Sequence, residues 1–182
     1  GSRIPRGAAH AEIHEFVAEL QQVPDSAAAL NVAGSAIEQV LCSALRDRFG
    51  IGLQIVRTSA RCGEVTNGYS AFEQLGVDRW AAIVGAWQMC RRPVCVIDAG
   101  TAVTIDLVTN NGQHQGGLIV PGLMLLRTSL LSHTSDIDGF VSQSIGAPAS
   151  EGWLGTDTRS AVERGVLLML GATIDSARAR MT

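Results

Sequence analysis

The chain has 182 residues, of which 46% are hydrophobic and 17% are charged, and its formal net charge is −3 at pH 7. This composition predicts a well-packed globular protein and argues against nucleic acid as a ligand, because proteins that bind the phosphate backbone usually carry a basic face. No apolar run approaches the length of a membrane span, so the sequence also argues against a membrane partner.

The first half of the chain alternates between helical and strand patterns. Helices are indicated by apolar residues that recur on one face, and strands by short apolar or alternating runs. In chain order we predict a helix over 8–22, a buried strand over 27–33, a helix over 36–48, a strand over 51–57 and a helix over about 75–90.

The second half begins with consecutive strands, and its helices come later. Three runs separated by tight turns predict an antiparallel meander. The change of pattern near residue 93 predicts two α/β subdomains, over 1–92 and 93–182. In the second of them we predict strands over 94–98, 102–109 and 116–120, a helix over about 123–132, a loop over 133–156 and a last helix, capped by Asp157 or Thr158, that runs to the end of the chain.

A carboxylate and three small residues follow the strand 94–98, where the sequence reads DAGT. The carboxyl end of a strand is where α/β proteins usually bind ligands. Asp98 could hold a cation there, Gly100 could let a ligand approach the backbone, and Thr101 could donate to a phosphate oxygen. Taken alone, the four residues fit a plain hairpin turn better.

Two adjacent charges begin the helix predicted over 75–90, within the stretch GYSAFEQLGVDRW. Asp78 could accept a proton from a substrate hydroxyl, and Arg79 could bind a carboxylate or a phosphate through its forked donors. Tyr69 offers a phenol close by in the sequence. The alternative is ordinary helix-start electrostatics, with Arg79 paired on the surface.

Two further stretches could face a ligand. GGLIVPG, at 116–122, could form a backbone wall or could pack tightly between strands. Thr158 could present its hydroxyl to an anion or act only as a helix cap. His114 and His133 have no Ser or Cys nucleophile to activate, so we predict that both are solvated loop residues.

Lysine is absent, since all 14 basic residues are arginine. Its absence excludes a Walker-type phosphate loop, a protein-kinase lysine and a lysine Schiff base within this chain. Any phosphate chemistry must therefore use backbone N–H groups, hydroxyls, arginine or a metal ion. The four cysteines show no metal-ligand spacing and are predicted to be reduced thiols.

Five stretches in this order resemble the type III pantothenate kinase family: NGY (67–69), LGVDRW (75–80), DAGTAVTID (98–106), GGLIVPG (116–122) and GTDT (155–158). The resemblance covers most of residues 28–182. It implies an α/β fold of two ribonuclease H-like subdomains, as in the acetate-kinase, sugar-kinase, Hsp70 and actin superfamily. The implied reaction is the ATP-dependent phosphorylation of pantothenate to 4'-phosphopantothenate, the first step of coenzyme A synthesis, in the cytoplasm.

The resemblance also implies residue roles, with ATP entering together with Mg²⁺ and with a homodimer as the assembly. The roles are as follows: Asp78 is the base, Tyr69, Gly76, Val77, Asp78 and Arg79 line the pantothenate pocket, Asp98 holds a monovalent cation (K⁺ or NH₄⁺), Thr101 contacts ATP phosphate, and Thr158 reaches pantothenate across the dimer interface.

The family pattern opens with a strand that carries a phosphate loop, DxGN(T/S)xxK, and closes with a Gly-rich segment that contacts adenosine. Neither segment is found in this sequence. We therefore expect the chain to lack both terminal parts of the family pattern, which leaves both subdomains incomplete. An alternative of another class is a non-catalytic regulator of the accessory-factor type, which shares the pattern. Asp78, Arg79 and Asp98 together favour the enzyme.

Overall fold

The computed structural model describes residues 10–132 and 152–180. They form two compact units. The first contains the described residues up to Ala60 together with Tyr69–Ala82, and the second contains Arg61–Gly68 and the described residues from Ile83 onward. Most of the loop predicted over 133–156, with His133, lies outside the described residues. The predicted division at residue 93 remains a prediction.

The first unit is built on two parallel strands and two helices. Residues Val17, Ala44 and Leu45 form its core, against which apolar residues of the helices and of the second strand pack. The predicted strand over 27–33 was too long and too buried, because only alternate residues of the observed strand are half-buried. The elements are α1 (His10–Ala18), β1 (Ala27–Leu30), α2 (Ser35–Phe49) and β2 (Leu53–Val56).

A charged cluster joins three of these elements where the parallel strands end. Arg57, directly after β2, donates to both carboxylate oxygens of Glu38 at 2.7 and 2.6 Å. Asn31, directly after β1, donates to the same carboxylate at 3.0 Å. The hydrogen bond from Arg57 is the main cause that lowers the pKa of Glu38, which lies in the first turn of α2. The two strand ends and the helix are therefore tied together.

The second unit contains the predicted antiparallel meander. Its strands β5 (Val94–Ala99), β6 (Ala102–Val108) and β7 (His114–Pro121) pair in this order, as the sequence predicted. The last helix, α5 (Thr158–Arg178), packs on this sheet through Ala177, which lies in a core cluster with Val103 and Ile105. The elements are β3 (Arg61–Cys62), β4 (Val65–Thr66), β5 (Val94–Ala99), β6 (Ala102–Val108), β7 (His114–Pro121), α4 (Leu123–Ser132) and α5 (Thr158–Arg178). Helix α3 (Val77–Cys90) begins in the first unit and ends in the second.

The two ends of α5 differ in how well the sequence predicted them. Asp157 is the cap, because its side chain accepts the N–H of Ser160 in a capping box, and Thr158 is the first helical residue. The helix ends at Arg178, so the prediction that it runs to the end of the chain was wrong. Within the described residues, no helix is both long enough and apolar enough to cross a membrane.

Candidate active site

The first turn of α3 is fixed by contacts on its N-terminal side. A short 3-10 helix, Phe72–Gln74, leads into Leu75, which is buried. The carbonyl of Leu75 accepts the hydroxyl of Thr58 at 2.8 Å. Trp80 then donates its N–H to the carbonyl of Gly76 at 2.9 Å, so the helix begins directly after Gly76. Side chains in this turn therefore project from a fixed backbone.

Asp78 is exposed, yet its carboxylate has a defined direction. Oδ1 accepts the backbone N–H of Arg79 at 2.9 Å. A Cβ atom added at Gly76 would lie 2.6 Å from the same oxygen, so glycine leaves the space that the carboxylate occupies. The start of a helix is also a favourable position for a negative charge. The carboxylate is thus accessible and oriented.

Arg79 is buried, with 8% of its surface exposed. Its Nη1 donates to the hydroxyl oxygen of Tyr69 at 3.1 Å, and the guanidinium lies over the Tyr69 ring, 5.7 Å from its centre. The surface pairing that the sequence allowed for Arg79 is therefore wrong. The structure brings Tyr69 together with Arg79, and Gly76 together with Asp78, while Val77 is half-buried beside them.

The turn between β5 and β6 carries the second group of predicted residues. Asp98 and Thr101 are both exposed. The N–H of Gly100 donates to the carbonyl of Ala102 at 2.9 Å, which closes the turn. Gly122, just before α4, donates its N–H to the carbonyl of Thr101 at 2.8 Å. A Cβ at Gly122 would collide with the carbonyls of Gly100 and Thr101, so this glycine serves tight packing.

The turn between β5 and β6 offers one carboxylate, that of Asp98, as a possible cation ligand. Among the described residues, no group of three or more His, Cys, Asp or Glu side chains could hold a metal ion. Asp98 would supply one carboxylate, and backbone carbonyls or a bound substrate would supply the other oxygen ligands.

Thr158 lies at the start of α5 and is exposed. Because Asp157 supplies the cap, the hydroxyl of Thr158 is not needed for capping. The hydrogen bond from the Ser160 N–H is the main cause that lowers the pKa of Asp157. In the part of the second unit that the structure describes, no hydrogen bond joins Thr158 to the turn of Asp98 and Thr101.

One buried polar pair was missed by the sequence analysis. His114 is not a solvated loop residue, since it begins β7 and is 0% exposed. Its Nε2 lies 2.9 Å from Oδ1 of Asp106, a residue of β6 that is 2% exposed. The signal was present in the sequence, because Asp106 interrupts the apolar run of a predicted strand. A carboxylate in that position needs a partner.

Comparison with known proteins identifies relatives over most of the chain. Residues 6–180 match the family model for type III pantothenate kinase. The type III pantothenate kinase of Ectopseudomonas mendocina (strain ymp) is 39% identical over 141 residues, which cover 78% of this chain and 56% of the relative. That of Hydrogenovibrio crunogenus is 38% identical over 157 residues, covering 86% and 61%. That of Azotobacter vinelandii is 41% identical over 134 residues, covering 74% and 53%. The chain therefore spans little more than half the length of these relatives.

Proposed function

Because the chain belongs to the type III pantothenate kinase family, we propose that this protein transfers the γ-phosphoryl group of ATP to the primary hydroxyl of pantothenate. The products are ADP and 4'-phosphopantothenate, and the reaction is the first step of coenzyme A synthesis. The observation that carries the proposal is the pair Asp78 and Arg79. An exposed, oriented carboxylate stands next to a buried arginine at the start of one helix.

Asp78 is the general base in this proposal. As the pantothenate oxygen approaches the γ-phosphorus, its proton passes to the carboxylate of Asp78. The new O–P bond forms while the bond between the γ-phosphorus and the oxygen of ADP breaks. Phosphoryl transfer relies mainly on positioning and charge stabilisation. The hydrogen bond from the Arg79 N–H to Oδ1 supports the role, because it fixes the direction of the carboxylate.

Pantothenate also carries a carboxylate, and we assign its recognition to Arg79 and Tyr69. A guanidinium offers forked donors that match a carboxylate. Stacking on Tyr69 and the hydrogen bond to its hydroxyl restrict the motion of Arg79 before the substrate arrives. This preorganisation lowers the entropy lost on binding. Gly76 and Val77 complete the lining of the pocket.

The turn at 98–101 is assigned to the phosphate end of the reaction. Thr101 donates its hydroxyl to a phosphate oxygen of ATP, which enters with Mg²⁺ as the substrate. Asp98 holds a monovalent cation, K⁺ or NH₄⁺, which when bound offsets negative charge on the phosphates. The exposure of both side chains at one turn supports these roles.

Three further features of the family extend the proposal: the subdomain fold, the assembly and the cellular compartment. We assign residues 1–92 and 93–182 to two ribonuclease H-like subdomains, a proposal that the mixed α/β architecture and the small sheets support. We assign a homodimer, in which Thr158 of one copy reaches the pantothenate bound by the other; its exposure at the start of α5 supports this. We assign the reaction to the cytoplasm, where ATP is available.

The test is release of ADP by the full-length gene product. Purified protein is mixed with Mg-ATP, with and without pantothenate, in K⁺ buffer and in Na⁺ buffer. We expect ADP release that requires pantothenate and is faster in K⁺ than in Na⁺. ADP release without pantothenate is the background control. Absence of pantothenate-dependent release from folded full-length protein, with Asp78 intact, would refute the kinase and leave the non-catalytic regulator.

A further inference from the structure

The buried pair Asp106 and His114 contacts a third residue, Gly68, and this contact fixes which ring nitrogen of His114 carries the proton. The backbone N–H of Gly68 donates to Nδ1 of His114 at 3.3 Å. An N–H can only donate, so Nδ1 carries no proton and the ring proton is on Nε2. That proton is donated to Oδ1 of Asp106 at 2.9 Å. Asp106 therefore holds the tautomer that Gly68 requires.

An extra residue in β7 brings the two side chains to one face of the sheet. Asp106 is opposite Gly117, but Val108 is opposite His114, so β7 contains one residue more than β6 between these pairs. In a regular ladder His114 would be opposite Thr109, and its side chain would lie on the other face from Asp106. Gly116, with φ of +98°, allows this bulge.

The segment before Tyr69 runs directly against the start of β7. Thr66 donates its N–H to the carbonyl of Gly112 at 3.0 Å and forms a parallel bridge with Gln113. A Cβ at Gly68 would collide with the carbonyl of His114, so the two backbones are in contact there. The position of Gly68 is thus set by the same residue that accepts its N–H. Tyr69, which binds Arg79, is the next residue in the chain.

We propose that His114 and Asp106 are positioning residues of the pantothenate site. Asp106 holds the tautomer of His114, His114 holds the Gly68 backbone, and Gly68 sets where the chain enters Tyr69. Neither side chain touches substrate, since both are buried. The inference rests on the proposed function, because Tyr69 and Arg79 are the groups assigned to the substrate carboxylate.

Two substitutions at His114 separate its two hydrogen bonds. In His114→Asn the amide oxygen takes the place of Nδ1, so the acceptor for Gly68 is retained. In His114→Gln the amide nitrogen takes the place of Nε2, so the donor to Asp106 is retained and the acceptor for Gly68 is lost. We expect His114→Gln to raise KM for pantothenate about two- to tenfold, the loss typical of one hydrogen bond. KM for ATP stays unchanged, and His114→Asn recovers most of the affinity.

Substitutions at Asp106 provide a matched pair that acts through the tautomer. Asp106→Asn keeps an oxygen that accepts from Nε2, so KM for pantothenate stays close to that of the wild type. Asp106→Ala releases the ring proton, which can move to Nδ1 and abolish the acceptor for Gly68. We therefore expect Asp106→Ala to raise KM for pantothenate as His114→Gln does. This pair also decides the matter if the His114 variants do not fold.

Hydrogen exchange at the Gly68 amide, measured on the full-length variants, supplies a readout that does not need activity. We expect faster exchange in His114→Gln and Asp106→Ala than in His114→Asn and Asp106→Asn. Equal exchange across the variants, an unchanged KM for pantothenate, or equal rises in both KM values would overturn the positioning role while leaving the proposed function intact. Absence of turnover in the wild-type protein would overturn the proposed function and the positioning role with it.

Discussion

At Asp78, exposure and orientation occur in one side chain. The carboxylate is open to solvent, while Oδ1 accepts the N–H of Arg79 and occupies the space that Gly76 leaves. The absence of a side chain at Gly76 keeps the carboxylate free of steric contact from the preceding turn. The residue is therefore suited to accept a proton from a bound hydroxyl.

Asp78→Asn tests this role. Asparagine keeps the shape and the Oδ1 acceptor but cannot take up a proton, so we expect kcat to fall by about 10²- to 10⁴-fold. The dissociation constant for pantothenate, measured by calorimetry, should change by less than about threefold, because asparagine keeps the shape and the acceptor of the side chain. A threefold change corresponds to less than about 1 kcal/mol of binding free energy. Asp47→Asn, at an exposed position of α2, is the matched control. Loss of pantothenate binding in Asp78→Asn would instead make Asp78 a ligand-positioning group.

At the scale of the elements, the start of α5 carries a complete capping box. The N–H of Ser160 donates to Asp157 at 2.9 Å, and the hydroxyl of Ser160 accepts the N–H groups of Thr156 and Asp157. The hydrogen bond from the Ser160 N–H is the main cause that lowers the pKa of Asp157 below its ordinary value of 3.8. Thr158 follows directly, so the cap fixes the backbone at a residue assigned to substrate contact.

The lowered pKa of Asp157 predicts how the stability of α5 depends on pH. A carboxyl group whose pKa is lower in the folded state stabilises that state above its unfolded pKa, and this contribution is lost as pH falls through the folded pKa. Asn at this position keeps a cap but does not titrate. We expect urea midpoints at neutral pH to rank wild type at or above Asp157→Asn, and Asp157→Asn above Asp157→Ala. The difference in urea midpoint between the wild type and Asp157→Asn should shrink from about pH 5 downward. A difference that stays constant with pH would contradict a stabilising role for the ionised Asp157 carboxylate.

Across the whole molecule, local sequence patterns predicted the helices and strands well. They did not predict which polar side chains are buried. The meander of β5, β6 and β7 and the start of α3 follow from period and turn residues, and both were found. His114 was placed wrongly, because its burial depends on Gly68, 46 residues away, and on one extra residue in β7. The sequence identified Asp78 and Arg79 as candidates, but only the fold shows that Tyr69 stacks on Arg79.

The four cysteines report on the fold of the whole chain. All are free thiols; Cys62 and Cys90 are exposed, whereas Cys42 and Cys95 are half-buried. Burial is the largest cause that raises the pKa of Cys95; Arg178 lowers it and Asp106 raises it further. Because the thiolate is the reactive form, a raised pKa slows modification.

We therefore expect Ellman's reagent at about pH 8, close to the ordinary thiol pKa, to modify Cys62 and Cys90 first and Cys95 last. In denaturant the four thiols should react at one rate, since the folded environment is gone. The double variant Cys62→Ser, Cys90→Ser is the control, and it should lose the fast phase while keeping the slow one. Peptide mapping after brief exposure identifies the sites. Early labelling of Cys95 would contradict its place in the cluster where α5 packs on the sheet, because that packing is what removes the thiol from solvent.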